Sequence, residues 1–268
     1  MSLAVPYWHV DAFADRPFAG NQAAVMPLDE WLPDEVLQAI GAENLFAETA
    51  FVVRDHTGAA DWELRWFTPE VEIRLCGHAT LASAFALWHS GKLAKDKSAL
   101  FHTKSGELSC SLDGEAIRMD FPSEPPYEVT THPNLETALG TKPVWVGQNR
   151  FDLFVELPHA HDVRMLGPRM AAIAMLGGRG VIVTAPSDDP AYDFVSRFFA
   201  PQSGVPEDHA TGSAHCALGP YWGDKLGKHE LAAFQASPRG AVIGVALKGE
   251  RVDLIGRCAL VLEGTLHA

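Results

Sequence analysis

The chain is short of positive charge: 21 lysines and arginines stand against 34 aspartates and glutamates, a formal net charge of −13 at pH 7. Phosphate backbones and anionic membrane surfaces are held by basic faces, so neither nucleic acid nor membrane is an expected partner. A small anionic substrate would have to be held by local groups. Long apolar runs are also missing. No segment approaches an uncharged membrane-spanning length, and the opening MSLAVPYWHV lacks a basic region followed by an apolar core. The cytoplasm is the expected compartment. Cysteines are few, and Cys76, Cys110, Cys216 and Cys258 show no C-x-x-C spacing, so the sequence indicates neither a zinc site nor a disulfide framework, only buried thiols.

What is present is apolar content of 47% over 268 residues, enough for two modest domains with well-formed cores. The most telling stretch is Arg197 to Trp222. There Glu207 and Asp208 close a Pro/Gly-rich loop, and from Ala210 to Gly223 no residue carries formal charge. A helix of Ala, Thr, Gly, Ser, Cys and Leu has no solvated face and belongs inside a fold. Its first turn leaves unpaired backbone N–H groups, which attract anions, with Thr211, Gly212 and Ser213 there to shape the entrance. A capped core helix behind an acidic turn explains one such stretch equally well.

A second copy favours a site. HATLASAFAL (78–87) lies over HATGSAHCAL (209–218) without a gap, and Phe67-Thr68-Pro69 over Phe199-Ala200-Pro201 at nearly the same offset. The first copy too leads a polar turn, with Cys76, Gly77 and His78, into an uncharged stretch from Leu75 to Ser90. Two such helices point to pseudo-symmetric halves.

In chain order, Tyr7 to Phe13 reads as a strand and Arg16 to Gln22 as the following turn. Asn21 is a candidate ligand contact, although a Gly-Asn pair more commonly just makes a turn. Pro33 to Ala42 carries Val36, Leu37 and Ile40 at helical spacing. Glu48 heads an apolar, β-branched run, where burial would raise its pKa and suit it to proton transfer. Short strands with turns at Gly106 and Gly114 follow, then a linker at Pro122 to Pro126. Beyond it the pattern predicts a helix over Leu135 to Leu139, a surface helix over Pro168 to Met175, and antiparallel strands at the end of the chain.

Four stretches resemble the PhzF family, the phenazine-biosynthesis-like isomerases that share their fold with diaminopimelate epimerase and proline racemase. They are VDAFADRPFAGNQAAV (10–25), NLFAETAFV (44–52), FTPEVEIRLCGHATLASA (67–84) and PEDHATGSAHCAL (206–218), with Gln235 to Gly240 a weaker fifth. The resemblance implies an α+β fold of two pseudo-symmetric domains, each an antiparallel barrel-like sheet around a central helix, with the active site in the cleft between them. The expected domains are residues 1–122, completed by 258–268, and 123–257. Catalytic roles fall to Glu48, His78 and Asp208, and substrate contacts to Gly77, Thr211, Gly212, Ser213 and Asn21. No metal or organic cofactor is required, and a homodimer is expected by analogy.

The chemistry implied is a proton shift between carbons of a small unsaturated or cyclic carboxylic acid, with one carboxylate taking and returning the proton. Epimerases and racemases of this fold use two cysteines instead. Cys76 stands at the first such position, but Ala210 stands where the second thiol should be, which counts against two-thiol racemisation. An epimerase or lyase of the same fold, and a non-catalytic small-acid binder, are the alternatives.

Overall fold

The computed structural model describes residues 4–130 and 132–267. The chain divides into two compact units, Met1–Asp120 with Ile255–Ala268, and Phe121–Leu254. Among the described residues no helix is long and apolar enough to cross a membrane.

The first unit begins with β1 (Ala4–Ala12), antiparallel to β2 (Asn21–Leu28) on one side and to β18 (Cys258–His267) on the other. From β2 the chain crosses through α1 (Asp34–Asn44) to β3 (Glu48–Arg54), which runs parallel to β2 with Ala23 opposite Glu48. β4 (Trp62–Phe67) returns antiparallel and makes a small hairpin with β5 (Glu72–Ile73). Next comes α2 (Gly77–His89), then β6 (Ala99–Thr103), which pairs parallel to β4, and the meander β7 (Gly106–Asp113) and β8 (Ala116–Pro122).

β2 and β3 are buried along nearly their whole length because both faces are covered. On one face Ala24, Met26, Phe51 and Val53 pack with Leu37 and Ile40, the apolar stripe of α1. α2 contacts β1, β2, β3 and β18. Its residues explain why it can be so buried. Alanine and leucine bring no polar atoms, and the hydroxyls of Thr80 and Ser83 turn back onto the carbonyls of Cys76 (2.6 Å) and Ala79 (2.7 Å).

The second unit repeats this plan. β9 (Tyr127–Glu128), α3 (Leu135–Leu139) and β10 (Trp145–Gln148) lead to β11 (Leu153–Glu156). The crossover through α4 (Ala160–Met165) and α5 (Met170–Ile173) reaches β12 (Val181–Pro186), parallel to β11. β13 (Phe194–Ala200) returns antiparallel and forms a hairpin with β14 (Val205–Asp208). The buried α6 (Gly212–Leu226) precedes β15 (Glu230–Gln235), parallel to β13, and β16 (Ala241–Lys248) and β17 (Arg251–Gly256) follow. β16 lies so close to α6 that a Cβ on Gly219 would fall 2.5 Å from Val245 Cγ1.

Three expectations need correction. The sheets are mixed rather than antiparallel, since a helix-bearing crossover returns the chain in its original direction and puts β2–β3, β4–β6, β11–β12 and β13–β15 in parallel register. The helix expected over Pro168 to Met175 is present but shorter, α5, and a second short helix that the pattern did not give, α4, precedes it, the two kept apart at Gly167-Pro168 because proline excludes the preceding residue from helical geometry and lacks a donor. Asn21 does not belong to a turn. It is the buried first residue of β2, and the turn ends one residue earlier at Gly20.

Gly20 has φ +62°, and a Cβ there would lie 2.1 Å from the Ala12 carbonyl oxygen. Gly20→Ala is therefore expected to destabilise the protein by more than ~1 kcal/mol, through left-handed strain plus a backbone clash, read as a lower urea midpoint at unchanged slope.

Candidate active site

In the first unit four side chains converge at the entrance of α2. Glu48 is the first residue of β3, and its carboxylate lies 2.9 Å from His78 Nε2, with side-chain exposures of 13% for Glu48 and 5% for His78. His78 occupies the first turn of α2, and Cys76 is its N-cap, with the thiol 3.5 Å from Nδ1 and 3.9 Å from Nε2. Asn21 reaches across from the start of β2, its amide nitrogen 3.0 Å from His78 Nδ1. The Asn21 amide can donate its N–H to a neutral ring or, turned over, accept from an imidazolium. Asn44, at the end of α1, donates to Thr49 Oγ1 (2.9 Å) and ties the loop that delivers Glu48.

Burial works against a charged His78, but its contacts with Cys76 and Glu48 outweigh it and hold the imidazole well above its usual range. The Cys76 thiol is itself pushed up to about 11, by burial first and then by the Glu48 charge.

In the second unit the acidic pair separates into two jobs. Glu207 takes a two-pronged contact from Arg197 (2.7 and 2.8 Å), whose remaining nitrogen reaches the carbonyls of Leu166 (2.6 Å) and Val163 (3.2 Å). That is scaffolding. Asp208 accepts from Thr211 Oγ1 (2.7 Å) at the entrance of α6. Gln235, fully buried at the end of β15, binds the same entrance three times: Oε1 accepts from the Thr211 N–H (2.8 Å), and Nε2 donates to the Asp208 carbonyl (2.7 Å) and to Thr211 Oγ1 (3.1 Å). Ser237 Oγ donates to the His209 carbonyl (2.9 Å). Gly212 and Ser213 open the first turn of α6, where helix geometry leaves N–H groups without intrahelical acceptors, as it does for Gly77 and His78 in α2.

Thus Asn21, Glu48 and His78 come together in one cluster, and Asp208, Thr211, Gly212 and Ser213 in another. Sequence reasoning missed Gln235 as a contributor. Its only signal was membership of a weakly matching segment, because an amide at the end of a strand does not announce that it will turn onto a helix entrance.

The internal repeat also changes register. Arg65 meets Glu72 with two prongs (both 2.8 Å), as Arg197 meets Glu207, and each guanidinium lies over the phenylalanine two residues on, Phe67 (5.1 Å) or Phe199 (4.8 Å). The Phe67/Phe199 match therefore reflects equivalent strands. The first helical bonds run from Thr80 to the Cys76 carbonyl (3.2 Å) and from His215 to the Thr211 carbonyl (3.4 Å), which makes Cys76 equivalent to Thr211. The gapless overlay of His78 on His209 is therefore one turn out, because the second hairpin is longer. The residue matching Cys76 is then Thr211, not Ala210, and it too has no thiol.

A profile described as phenazine biosynthesis-like protein matches residues 10–264. The chain belongs to this PhzC-PhzF family. It is an enzyme of the isomerase class, as the family is. An uncharacterized isomerase from Pseudomonas aeruginosa is 48% identical over 99% of this chain and 100% of its own. A crystal structure of a PhzF-family phenazine biosynthesis protein from Enterococcus faecalis superposes with a TM-score of 0.94 at 43% identity, covering 99% of this chain and 100% of that one. More remotely, a hydroxyproline epimerase from Agrobacterium vitis shares the fold, with a TM-score of 0.62 at 11% identity over 98% of this chain and 92% of that one. The PhzF-like chain is thus a mixed-sheet α+β protein related in fold to the epimerases.

His215, on α6, is fully buried and donates Nδ1–H to the Thr211 carbonyl (2.8 Å). Burial, partly offset by that bond, lowers its pKa from the ordinary 6.5 to about 4. In between, the unfolded chain binds more protons, so stability present above pH 6.5 is lost as pH falls toward 4. The expected loss is ~3 kcal/mol, at about 1.4 kcal/mol per unit. It should appear as a pH-dependent difference between the urea midpoints of wild type and His215→Gln, whose amide can keep the Thr211 bond without titrating.

Proposed function

We propose that the protein is a cofactor-independent isomerase that moves a proton between two carbons of a small unsaturated or cyclic carboxylic acid, with Glu48 as the acid/base group. The observation that carries this reading is the Glu48 carboxylate, largely buried and 2.9 Å from His78 at the entrance of a buried helix, in a chain of an isomerase family.

The step needs one base. Glu48 takes a proton from a saturated carbon next to a double bond, the electron pair of that C–H bond becomes a new double bond to the neighbouring carbon, and the original π pair shifts to the far carbon. The Glu48 carboxylic acid then returns the proton there, on the same face, and the double bond has shifted with no other atom gained or lost. His78, oriented by Asn21, holds Glu48 and stabilises the negative charge that develops in the substrate. Asp208 and Ser213 are assigned the substrate's polar groups, and the N–H groups of Gly77, His78, Gly212 and Ser213 its carboxylate. That assignment gives an acidic protein a local means of holding an anion. We also propose that each half wraps its sheet around its central helix; the burial of α2 and α6 on almost every side supports this.

Two-thiol epimerisation is the main competing chemistry. It is disfavoured because Thr211, equivalent to Cys76 at the helix entrance, has no thiol.

The test is proton–deuterium exchange in heavy water, followed by NMR, over a panel of hydroxy-dihydroaromatic and amino acids. Wild type should exchange one carbon-bound proton, and Glu48→Gln should lower that rate by at least about 100-fold, the usual contribution of a positioned acid/base group. Exchange retained in Glu48→Gln but abolished in Cys76→Ala would overturn the assignment.

A further inference from the structure

The entrance of α2 holds three different donor atoms in one place. A carboxylate oxygen of Glu48, the thiol sulfur of Cys76 and a ring nitrogen of His78 all lie within 4.8 Å of one another, the one such group found among the described residues. The cysteine spacing along the chain gave no hint of it, because the carboxylate comes from a strand nearly thirty residues upstream of the other two.

The separations suit a small tetrahedral cation. Nε2 of His78 is 2.9 Å from Glu48 Oε2 and 3.9 Å from Cys76 Sγ. A tetrahedral zinc ion with bonds of about 2.0 Å to N and O and about 2.3 Å to S has N–O and N–S edges of about 3.3 and about 3.6 Å. Both edges from Nε2 are met by a movement of a few tenths of an ångström, and the Glu48 oxygen and the Cys76 sulfur lie within 4.8 Å of each other, close enough for side-chain torsions to bring them together. The other nitrogen of the ring is already provided for. Nδ1 lies 3.0 Å from the Asn21 amide, which by turning over accepts Nδ1–H and fixes Nε2 as the metal-facing atom. Ligating histidines are held by an outer partner of this kind. The three ligands come from the head of β3 and the first turn of α2, elements that need no rearrangement to present them.

The donor set selects the ion. Magnesium and calcium take oxygen ligands, whereas one thiolate, one imidazole and one carboxylate suit zinc and its neighbours. Three protein ligands also leave one tetrahedral position open.

We propose that Glu48, Cys76 and His78 form a three-ligand site for a zinc-like divalent cation, with Asn21 as the group that orients His78. Bound there, the cation engages the carboxylate that the isomerase reading assigns to proton transfer, so on that reading a metal-loaded chain is switched off and chelation restores it.

The experiment is optical and independent of turnover. The full-length chain, treated with chelator and then freed of it, is titrated with Co²⁺, whose bond to a thiolate gives a near-ultraviolet charge-transfer band and whose visible bands report four-coordination. Wild type should bind one equivalent with both signatures, and Zn²⁺ should displace them. Cys76→Ser should remove the charge-transfer band, Glu48→Gln should keep that band with weaker binding, and Asn21→Ala should weaken binding by about tenfold or more. Absence of a thiolate band in wild type would overturn the proposal. So would a band unchanged by Cys76→Ser, which would place the metal on Cys110, Cys216 or Cys258. A thiolate band without deuterium exchange in any compound would leave the metal site standing and remove the isomerase reading; exchange without a band would do the reverse.

Discussion

A helix that enters the fold through an uncharged, buried stretch, Gly77–His89 in α2 and Gly212–Gly223 in α6, leaves its first N–H groups and its entry loop to be satisfied from outside. Much of this protein follows from that constraint. α2 and α6 are both such helices. Neither uses its N-cap side chain as a cap; instead, a carboxamide from a neighbouring strand arrives at each entrance, Asn21 at α2 and Gln235 at α6. An amide is suited to the task because it offers donor and acceptor without charge, so it can be buried at the cost of its hydrogen bonds alone. The same entrances gather the charged groups, Glu48 at one and Asp208 at the other. The chemistry is concentrated where the fold already had polar atoms to satisfy.

The two halves show how a repeat can be read correctly in one place and wrongly a few residues later. The Arg–Glu fork and the phenylalanine beneath it recur in both halves at equivalent strands, Arg65 with Glu72 over Phe67 and Arg197 with Glu207 over Phe199. That pairing holds the hairpin to its strand, and sequence comparison found its phenylalanine. The His-Ala-Thr identity that looked stronger is a coincidence of register. His78 lies inside its helix, while His209 lies in the turn before its own. Helix geometry, not letter matching, identifies Thr211 as the counterpart of Cys76.

Much of the rest was legible for physical reasons. The family could be recognised from motifs spread over most of the chain, and Glu48 could be seen as a carboxylate at the head of an apolar strand, where β3 in fact begins. The spacing of Leu37 and Ile40 announced the stripe that α1 lays on the sheet. Non-local features were not legible. Parallel pairing depends on crossovers whose strands are far apart in sequence, and nothing in Asn21 or Gln235 distinguishes a buried, bonded amide from an exposed one. Gly20 was read as part of a turn, which it is, but its neighbour Asn21 had already entered a strand.

β18 pairs with β1 along its length, from Ala4 opposite His267 to Ala12 opposite Cys258, so the first half is closed by a segment that follows all of the second in the chain. Synthesis on the ribosome inverts the expected order of maturation. The second half has all its strands while β1, paired with β2 on one side, still lacks β18 on the other, and that edge, with unpaired backbone N–H and C=O groups, waits for β18 to emerge. Until β18 pairs, that strand edge is open to association with another chain.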